Sequence, residues 1–383
     1  MSLPDLRLCR SLLLLLGGLP LAAQALPAPF TDPEDGQLDM SEWLLDMKGF
    51  LPVPIIITEP AVGYGGGMGV VFFNESIRDA STKARSSGHV TPPDMYGGMA
   101  AYTENGTKAA AAGGMMNFAD DHYRWRGVVG WVNPNLEFYG KGQVLGAAPV
   151  IDYTLEGWMS SQEGMYRIGD SNTWLVGRWL YLDLDSTFDV PVQLTRLSDL
   201  ELKSKSSALG FSVETDTRDN IFTPSKGWTG ALDANFYREG WGSDTDFTSY
   251  RAHVFSYFPV HKDWILAARL DGRTGDGDVP FYQLPFIDLR GIAAARYQDE
   301  HTAVAEAEVR WNTSARWSLI GFVGGGRAWG TRDDFSETPT RVSRGGGFRY
   351  LIARRLGLYM GMDYGWGPDD QEAFYIQVGN AWR

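Results

Sequence analysis

Three observations in the sequence predict an all-β fold, a transmembrane antiparallel barrel of about 16 strands with a long outer loop folded inward. Apolar and polar residues alternate with a period of two through segment after segment, which puts them on opposite faces of a sheet. No stretch beyond residue 25 approaches the ~18 to 20 consecutive apolar residues that a spanning helix needs. The 383 residues include 46 Gly, 14 Trp, 17 Tyr and 19 Phe, and the glycines sit inside apolar, aromatic segments rather than in linkers. With 44% apolar residues the chain is also too rich in core-forming side chains to be disordered.

The elements follow in order. Arg7 and Arg10 precede the apolar run Leu12 to Leu16, and Ala23-Gln24-Ala25 has the small-x-small form of a cleavage site. Residues 1–25 are therefore expected to be a signal peptide, with Leu26 opening the mature chain. Cys9, the only cysteine, leaves with it, which excludes disulfides and thiolate metal chemistry. Loss of Arg7, Arg10 and Asp5 takes the formal charge from −13 to −14, the wrong sign for a nucleic-acid partner. Residues 26–61 hold Pro27, Pro29, Pro33, Pro52, Pro54 and Pro60 around a short helix at Met40 to Met47. They are expected to form a periplasmic tether, with a small plug as the alternative, and residues 62–383 the barrel.

Within 62–383 the pattern predicts strands near 62–73, 95–104, 107–118, 122–132, 135–142, 150–169, 173–184, 206–217, 227–238, 248–259, 263–273, 302–313, 317–329, 342–354, 356–367 and 372–382. The clearest is Thr302 to Asn312, where Ala303, Ala305, Ala307, Val309 and Trp311 oppose Val304, Glu306, Glu308, Arg310 and Asn312. Leu358, Met360, Met362, Tyr364 and Trp366 likewise oppose Tyr359, Gly361, Asp363 and Gly365, and Phe374, Ile376, Val378 and Trp382 share one face of the last strand. A soluble sandwich also alternates. The barrel is preferred because charges and glycines recur on one face, as in a water-filled or plugged lumen, and aromatics fall at strand ends. Trp264, Trp317, Trp329, Trp366, Trp382, Phe258 and Tyr350 suit the two interfacial girdles.

With the N-terminus in the periplasm, connections should alternate short and long. Short ones fall at Asn133 to Asn135, Pro259 to Lys262, Asn312 to Arg316 and around Arg355. Long ones fall at 74–94, 185–205, 274–301 and 330–341. The short link near Asp120 breaks the rule, falling where a long outer loop is expected.

The longest connection carries Asp288-Leu289-Arg290-Gly291-Ile292 and Ala295-Arg296-Tyr297, followed by the strand Ala305 to Trp311. An Asp216-Thr217-Arg218-Asp219-Asn220 turn with Pro224 and Gly227 precedes the strand at 227–238. Gly346-Gly347-Phe348-Arg349-Tyr350 and Gly361-Met362-Asp363-Tyr364-Gly365 lie near the C-terminus. Together these segments resemble the barrel of the BamA/TamA family of outer-membrane assembly factors, whose signature is a Val-Arg-Gly-Phe or Val-Arg-Gly-Tyr loop folded into the lumen. Arg290 and Gly291 match, while Leu289 and Ile292 depart conservatively. The resemblance implies a membrane barrel without cofactor, set among outer-membrane lipids of a Gram-negative bacterium, with outer-membrane or surface proteins as clients. Residues 26–61 are too few for a POTRA domain, so the likeness is to the POTRA-less branch. The family's terminal aromatic is absent, since Trp382 is penultimate and Arg383 last.

A guanidinium in a lumen needs a carboxylate, which offers a bidentate fork. Glu306 and Glu308 point inward on the next strand, and Glu308 is favoured by its resemblance to the family's acidic partner. A second acid is common on the following strand, but there the chain reads Gly324-Gly325-Gly326-Arg327, against a two-carboxylate clamp. The bland alternative is that Arg290 is a solvated loop residue. Val62 to Gly69, with Gly63, Gly65, Gly66, Gly67 and Gly69, is expected to be a weak first strand at a barrel seam, since interior glycines weaken strands. The alternative is that these glycines only permit curvature or close approach.

Enzyme chemistry finds little support. No Gly-x-Ser-x-Gly occurs, and Gly169-Asp170-Ser171 falls in a turn. His89, His122, His253, His261 and His301 have no metal-ligand spacing, and Asp276 and Asp278 lack the twelve-residue calcium pattern. Two functions remain: a factor assisting insertion or translocation of proteins through a weak seam, and a passive pore or structural surface barrel without clients.

Overall fold

The computed structural model describes residues 30–79, 93–139, 150–189, 202–330 and 333–382. The expected signal peptide lies outside them. A short helix α1 (Ser41–Asp46) precedes seventeen antiparallel strands. The first are β1 (Gly49–Ile57), β2 (Gly65–Phe73), β3 (Met95–Thr103), β4 (Lys108–Phe118), β5 (Tyr123–Asn133) and β6 (Asn135–Tyr139). Next come β7 (Val150–Arg167), β8 (Thr173–Asp189), β9 (Leu202–Asp216), β10 (Gly227–Tyr237), β11 (Phe247–His261) and β12 (Trp264–Gly277). The last are β13 (His301–Asn312), β14 (Trp317–Trp329), β15 (Arg341–Ala353), β16 (Leu358–Trp366) and β17 (Glu372–Val378).

Each strand pairs with its neighbour in sequence, except that β5 and β6 both pair with β7, as two halves of one strand interrupted at Pro134. Proline has no N–H to give a ladder, so the strand breaks there instead of turning. The wall therefore has sixteen strands.

The expected strand list arrives at sixteen differently, through two errors that cancel. It takes 135–142 as a separate strand and assigns Gly49–Ile57 to the tether. In fact β1 pairs over nine residues with β2, from Gly49 opposite Phe73 to Ile57 opposite Gly65. Its prolines hide it in the sequence. The carbonyls of Val53 and Ile55 turn toward β2, so Pro52 and Pro54 set their missing N–H groups on the opposite edge, where a strand tolerates them.

This extra strand also settles which end each connection occupies. The chain enters β1 at one end of the barrel, the near end, so β2 ends and β3 begins at that same end, although the alternation of connections predicts 74–94 as a long outer loop, of which 80–92 lie outside the described residues. The short link near Asp120 becomes an ordinary near-end turn, and the apparent exception disappears. The connections at 278–300 and 330–340 lie at the far end.

Outward faces carry the large apolar residues, among them Phe211, Leu232, Leu270, Leu319 and Val323. Trp264 and Trp311 stack near one rim, while Tyr364 and Trp366 pack near the other. The inward faces carry charge, arranged as ion pairs: Arg126 and Arg178 share Glu163, Arg178 also meets Asp233, and Arg251 and Arg273 meet Asp271.

Candidate functional site

The 278–300 loop runs down into the lumen. Ile287, Leu289 and Ile292 are buried with Val304 of β13. Between them Arg290 is only 8% exposed. Its Nε and Nη2 donate to Glu306 Oε1 at 2.9 and 2.7 Å, and its Nη1 donates to Asp363 Oδ2 at 2.8 Å. Glu308 Oε2 stands 2.7 Å from Nη2. Below the guanidinium lies the Phe322 ring, 3.7 Å to the centroid. Arg349 grips Asp363 from the other side with two bonds of 2.6 and 2.8 Å, and Arg269 lies 3.9 Å from Glu306. Arg290 and Arg349 thus meet Glu306, Glu308 and Asp363 directly, and Arg269, whose own hydrogen bonds go to Asp271 and Asp288, adds a further positive charge beside Glu306, so that each buried charge has a partner. Gly291 has φ +89, and a Cβ there would come within 2.8 Å of the Gly365 backbone of β16. Only glycine lets the loop lie that close to the wall.

The same loop reaches both sides of the barrel's ends. Phe281 packs edge-on to Tyr153 on the tall β7–β8 wall. The Gly291 N–H donates to Tyr375 Oη of β17 at 2.9 Å, while the Ala294 N–H donates to Glu59 Oε1 in the β1–β2 hairpin at 3.1 Å. Burial pushes the Glu59 carboxyl above its ordinary value.

The near end is filled by the 217–226 turn. Asp219 Oδ1 accepts from the Ser225 and Lys226 amides, Asn220 Oδ1 from Phe222 and Thr223, and Arg218 folds onto Asp216. The turn so fixed is pinned by Arg310, which donates to the Pro224 carbonyl at 2.9 Å and to Ser225 Oγ at 2.7 Å. Gly227 then opens β10. Beside this turn the C-terminal tail bends inward at Gly379, φ +80. Trp382 is buried against Phe255, Tyr257 and Ala267, and its Nε1 donates to Glu306 Oε2 at 2.8 Å. The space left between turn, tail and wall is about 10 Å³, room for one water at most. Trp382 is thus a lumen residue and not part of the girdle, because the positive φ of Gly379 ends the alternation that would have kept it outward.

Between β1 and β17 the wall is not laced: among the described residues no ladder joins them. The even-numbered edge of β1 faces this seam, and Pro52 and Pro54 remove two of its donors. Instead the seam is bridged at the far end by Tyr64 stacked on Phe374, 5.2 Å between centroids, and by the loop's bonds to Glu59 and Tyr375.

Sequence reasoning placed Arg290, Gly291, Glu306 and Glu308 together, and the structure sets all four at the loop contact. It gives Arg290 two hydrogen bonds to one oxygen of Glu306, Oε1, and puts Glu306 ahead of Glu308. The second acid comes from Asp363 on β16 rather than from β14. The signal was present, since Asp363 shares the inward face with Gly361 and Gly365. Gly63, Gly65, Gly66, Gly67 and Gly69 are not at the seam edge: β2 lies between β1 and β3, and a Cβ on Gly65 or Gly67 would meet the β3 backbone at 2.3 or 2.2 Å. Close strand approach explains Gly65 and Gly67, whereas Gly63 sits in the β1–β2 connection with φ +75, and a Cβ on Gly66 or Gly69 would meet nothing closer than 3.3 Å.

Residues 181–382 match the Omp85 superfamily domain. No curated protein matches the sequence. Among solved structures, the fold is similar to BamA from Haemophilus ducreyi lacking POTRA domains 1-3, with TM-score 0.58 and 12% identity over 87% of this chain and 70% of that one. It is also similar to CdiB from Acinetobacter baumannii, TM-score 0.55 and 12% identity over 86% and 59% of the two chains. For CdiB from Escherichia coli the values are 0.57, 13%, 86% and 62%, so this chain spans about three fifths of either CdiB. The matched domain covers more than half of the sequence, and the chain belongs to the Omp85 superfamily.

Proposed function

We propose that this barrel sits in the outer membrane of a Gram-negative bacterium, delivered there by its signal peptide, and assists insertion or translocation of outer-membrane or surface proteins at the seam between β1 and β17. The observation that carries the reading is the unlaced seam, whose β1 edge is poor in donors yet still offers its carbonyls and the Phe50 and Ile56 N–H groups to a visiting strand. Edge pairing of that kind is a general mode of peptide recognition. Membership of the Omp85 superfamily and a fold shared with BamA and CdiB support it.

The segments inside the lumen favour the seam over the pore. The clamp around Arg290 holds the loop against the β13–β16 wall, while the 217–226 turn and the Trp382 tail pack at the near end. In this reading Arg290, Gly291, Glu306 and Glu308 anchor the loop, Asp216, Arg218, Asp219, Pro224 and Gly227 shape the near-end plug, and no cofactor or catalysis is involved.

The test is a cross-link between cysteines introduced at Tyr64 and Phe374, compared with each single substitution and with deletion of the protein. The surface and outer-membrane proteome of the native bacterium is the readout. The cross-linked strain should lose the same few proteins as the deletion, and reduction should restore them. A cross-linked barrel that leaves every surface protein at its normal level refutes the seam, and a large steady conductance would favour the passive pore.

A further inference from the structure

The segment ahead of β1 is acidic, and it does not hang free. Arg316, in the turn between β13 and β14, is 3% exposed and binds Asp35 Oδ2 and Asp39 Oδ2 at 2.6 Å each, with Asp32 as a third carboxylate. Its Nη1 also donates to the Leu351 carbonyl, at 3.0 Å. Further along, the Met40 N–H donates to the Ile352 carbonyl at 2.7 Å, and the Arg355 N–H to Ser41 Oγ at 3.0 Å. This buried anchor fastens residues 32–41 to the β13–β16 side of the seam.

Glu42 then reaches both ways. One oxygen binds Arg355, in the turn between β15 and β16, and the other binds Arg78 at 2.7 Å, in the connection between β2 and β3. Asp46 adds a second contact to Arg78. Arg355 and Arg78 stand on opposite sides of the gap between β17 and β1, so one carboxylate spans it. These partners are exposed, with side-chain accessibilities of 52, 47 and 37% for Arg355, Glu42 and Arg78. Exposed pairs are weak and screened by salt, whereas a desolvated guanidinium held by three carboxylates is not.

The anchor takes in Ser41, the first residue of α1, a helix with no side-chain cap at its start, so its five residues Glu42 to Asp46 lie between anchor and β1. A helix that short is marginal on its own. Wound, five residues span about 7.5 Å, and extended they span about 16.5 Å, a difference of about 9 Å, or about two strand spacings.

We propose that residues 30–48 form a strap across the near-end mouth of the seam, anchored through Arg316, clasped through Glu42, and extensible by the unwinding of α1. The strap lets the near end open by about the width of a hairpin and then stops it. The proposal rests on the seam being the place where the barrel opens, and adds what holds and limits it.

The test measures distance in the full-length protein. Nitroxide labels are placed on cysteines replacing Phe50 on β1 and Val378 on β17, and electron-electron double resonance reads their separation in lipid vesicles. Glu42→Lys should shift part of the distribution outward by up to about 9 Å, and 1 M KCl should do the same to the otherwise unaltered chain. Arg316→Ala should carry it further, past the strap's limit. The triple swap Glu42→Arg, Arg78→Glu and Arg355→Glu should restore the narrow distribution. Glu42 is a surface residue, so its variant folds even where Arg316→Ala does not, and heat-modifiable gel migration confirms this. Distributions unchanged by both Glu42→Lys and 1 M KCl overturn the strap. A widened seam with every surface protein assembled normally upholds the strap while removing the assembly role, and lost clients with unchanged distances do the reverse.

Discussion

Trp382 and Arg290 meet on one carboxylate: Glu306 receives the indole N–H on Oε2 and the guanidinium on Oε1. The C-terminal tail is therefore wired to the loop that enters the lumen. Replacing Trp382 by Phe keeps most of the packing and removes a hydrogen bond to a charged group, an expected loss of about 1.5–3 kcal/mol. Trp382→Ala adds a cavity and should cost about 3–5 kcal/mol. Urea unfolding of the barrel in detergent reads both, and equal midpoints for Phe and Ala would mean that the ring's burial contributes nothing.

Arg290→Ala leaves Glu306, Glu308 and Asp363 without their shared partner. Breaking a buried pair from one side typically costs about 3–5 kcal/mol. The thermal midpoint should fall clearly, and Arg290→Lys should recover only part, since an ammonium cannot serve Glu306 and Asp363 with the same fork. An unaltered midpoint in Arg290→Ala refutes the clamp.

Gly291→Ala is expected to displace the loop without touching any charge. The left-handed backbone at φ +89 disfavours a side chain, and the added carbon would press on Gly365 and Trp366. Hydrogen exchange at residues 287–294 should speed up while exchange in β13 and β14 stays slow. Uniform acceleration through the wall would show that the loop is not a separable unit.

Glu59 gives the far end a pH response. Its carboxyl is raised from 4.5 by burial, although the Ala61 and Ala294 amides pull the other way. A group raised on folding holds its proton more tightly in the folded chain. Its stabilising share is full below its ordinary value and declines as pH climbs through the raised one. The Ala294 amide should exchange more slowly at pH 4 than at pH 8 after correction for intrinsic rates, and Glu59→Gln should abolish the difference. A difference that persists in Glu59→Gln places the titrating group elsewhere.

Period-two alternation was enough to read the wall from β7 onward, because inward charges such as Arg178, Arg269, Glu308, Arg310 and Asp363 are followed by the outward apolar residues Trp179, Leu270, Val309, Trp311 and Tyr364. The same pattern put Glu306 and Glu308 in the lumen beside Arg290. What failed were positions where one residue overrides periodicity. Pro52 and Pro54 made a strand look like a tether, although the edge they disarm faces no neighbour. Pro134 made one strand look like two. Gly379 turned Trp382 from membrane to lumen, and nothing in a face-by-face reading anticipates a left-handed residue after the last ladder. Asp363 and Arg316 were legible as residues but not as partners, since each meets charges far away in the chain, Arg290 73 residues off and Asp32 284 residues off.

Those separations set an order of events. Every ladder in the wall joins strands adjacent in sequence, so the sheet can zip up through short loop closures, hairpin by hairpin, at small entropic cost for each step. The Ala294 bond to Glu59 spans 235 residues and the Arg316 bond to Asp32 spans 284. Such contacts gain nothing until the whole sheet has curled round and brought its two ends together. The barrel is therefore expected to form as a ribbon first and become a ring last, the closing contacts coming from side chains together with single backbone bonds such as Met40 to Ile352, and not from a ladder.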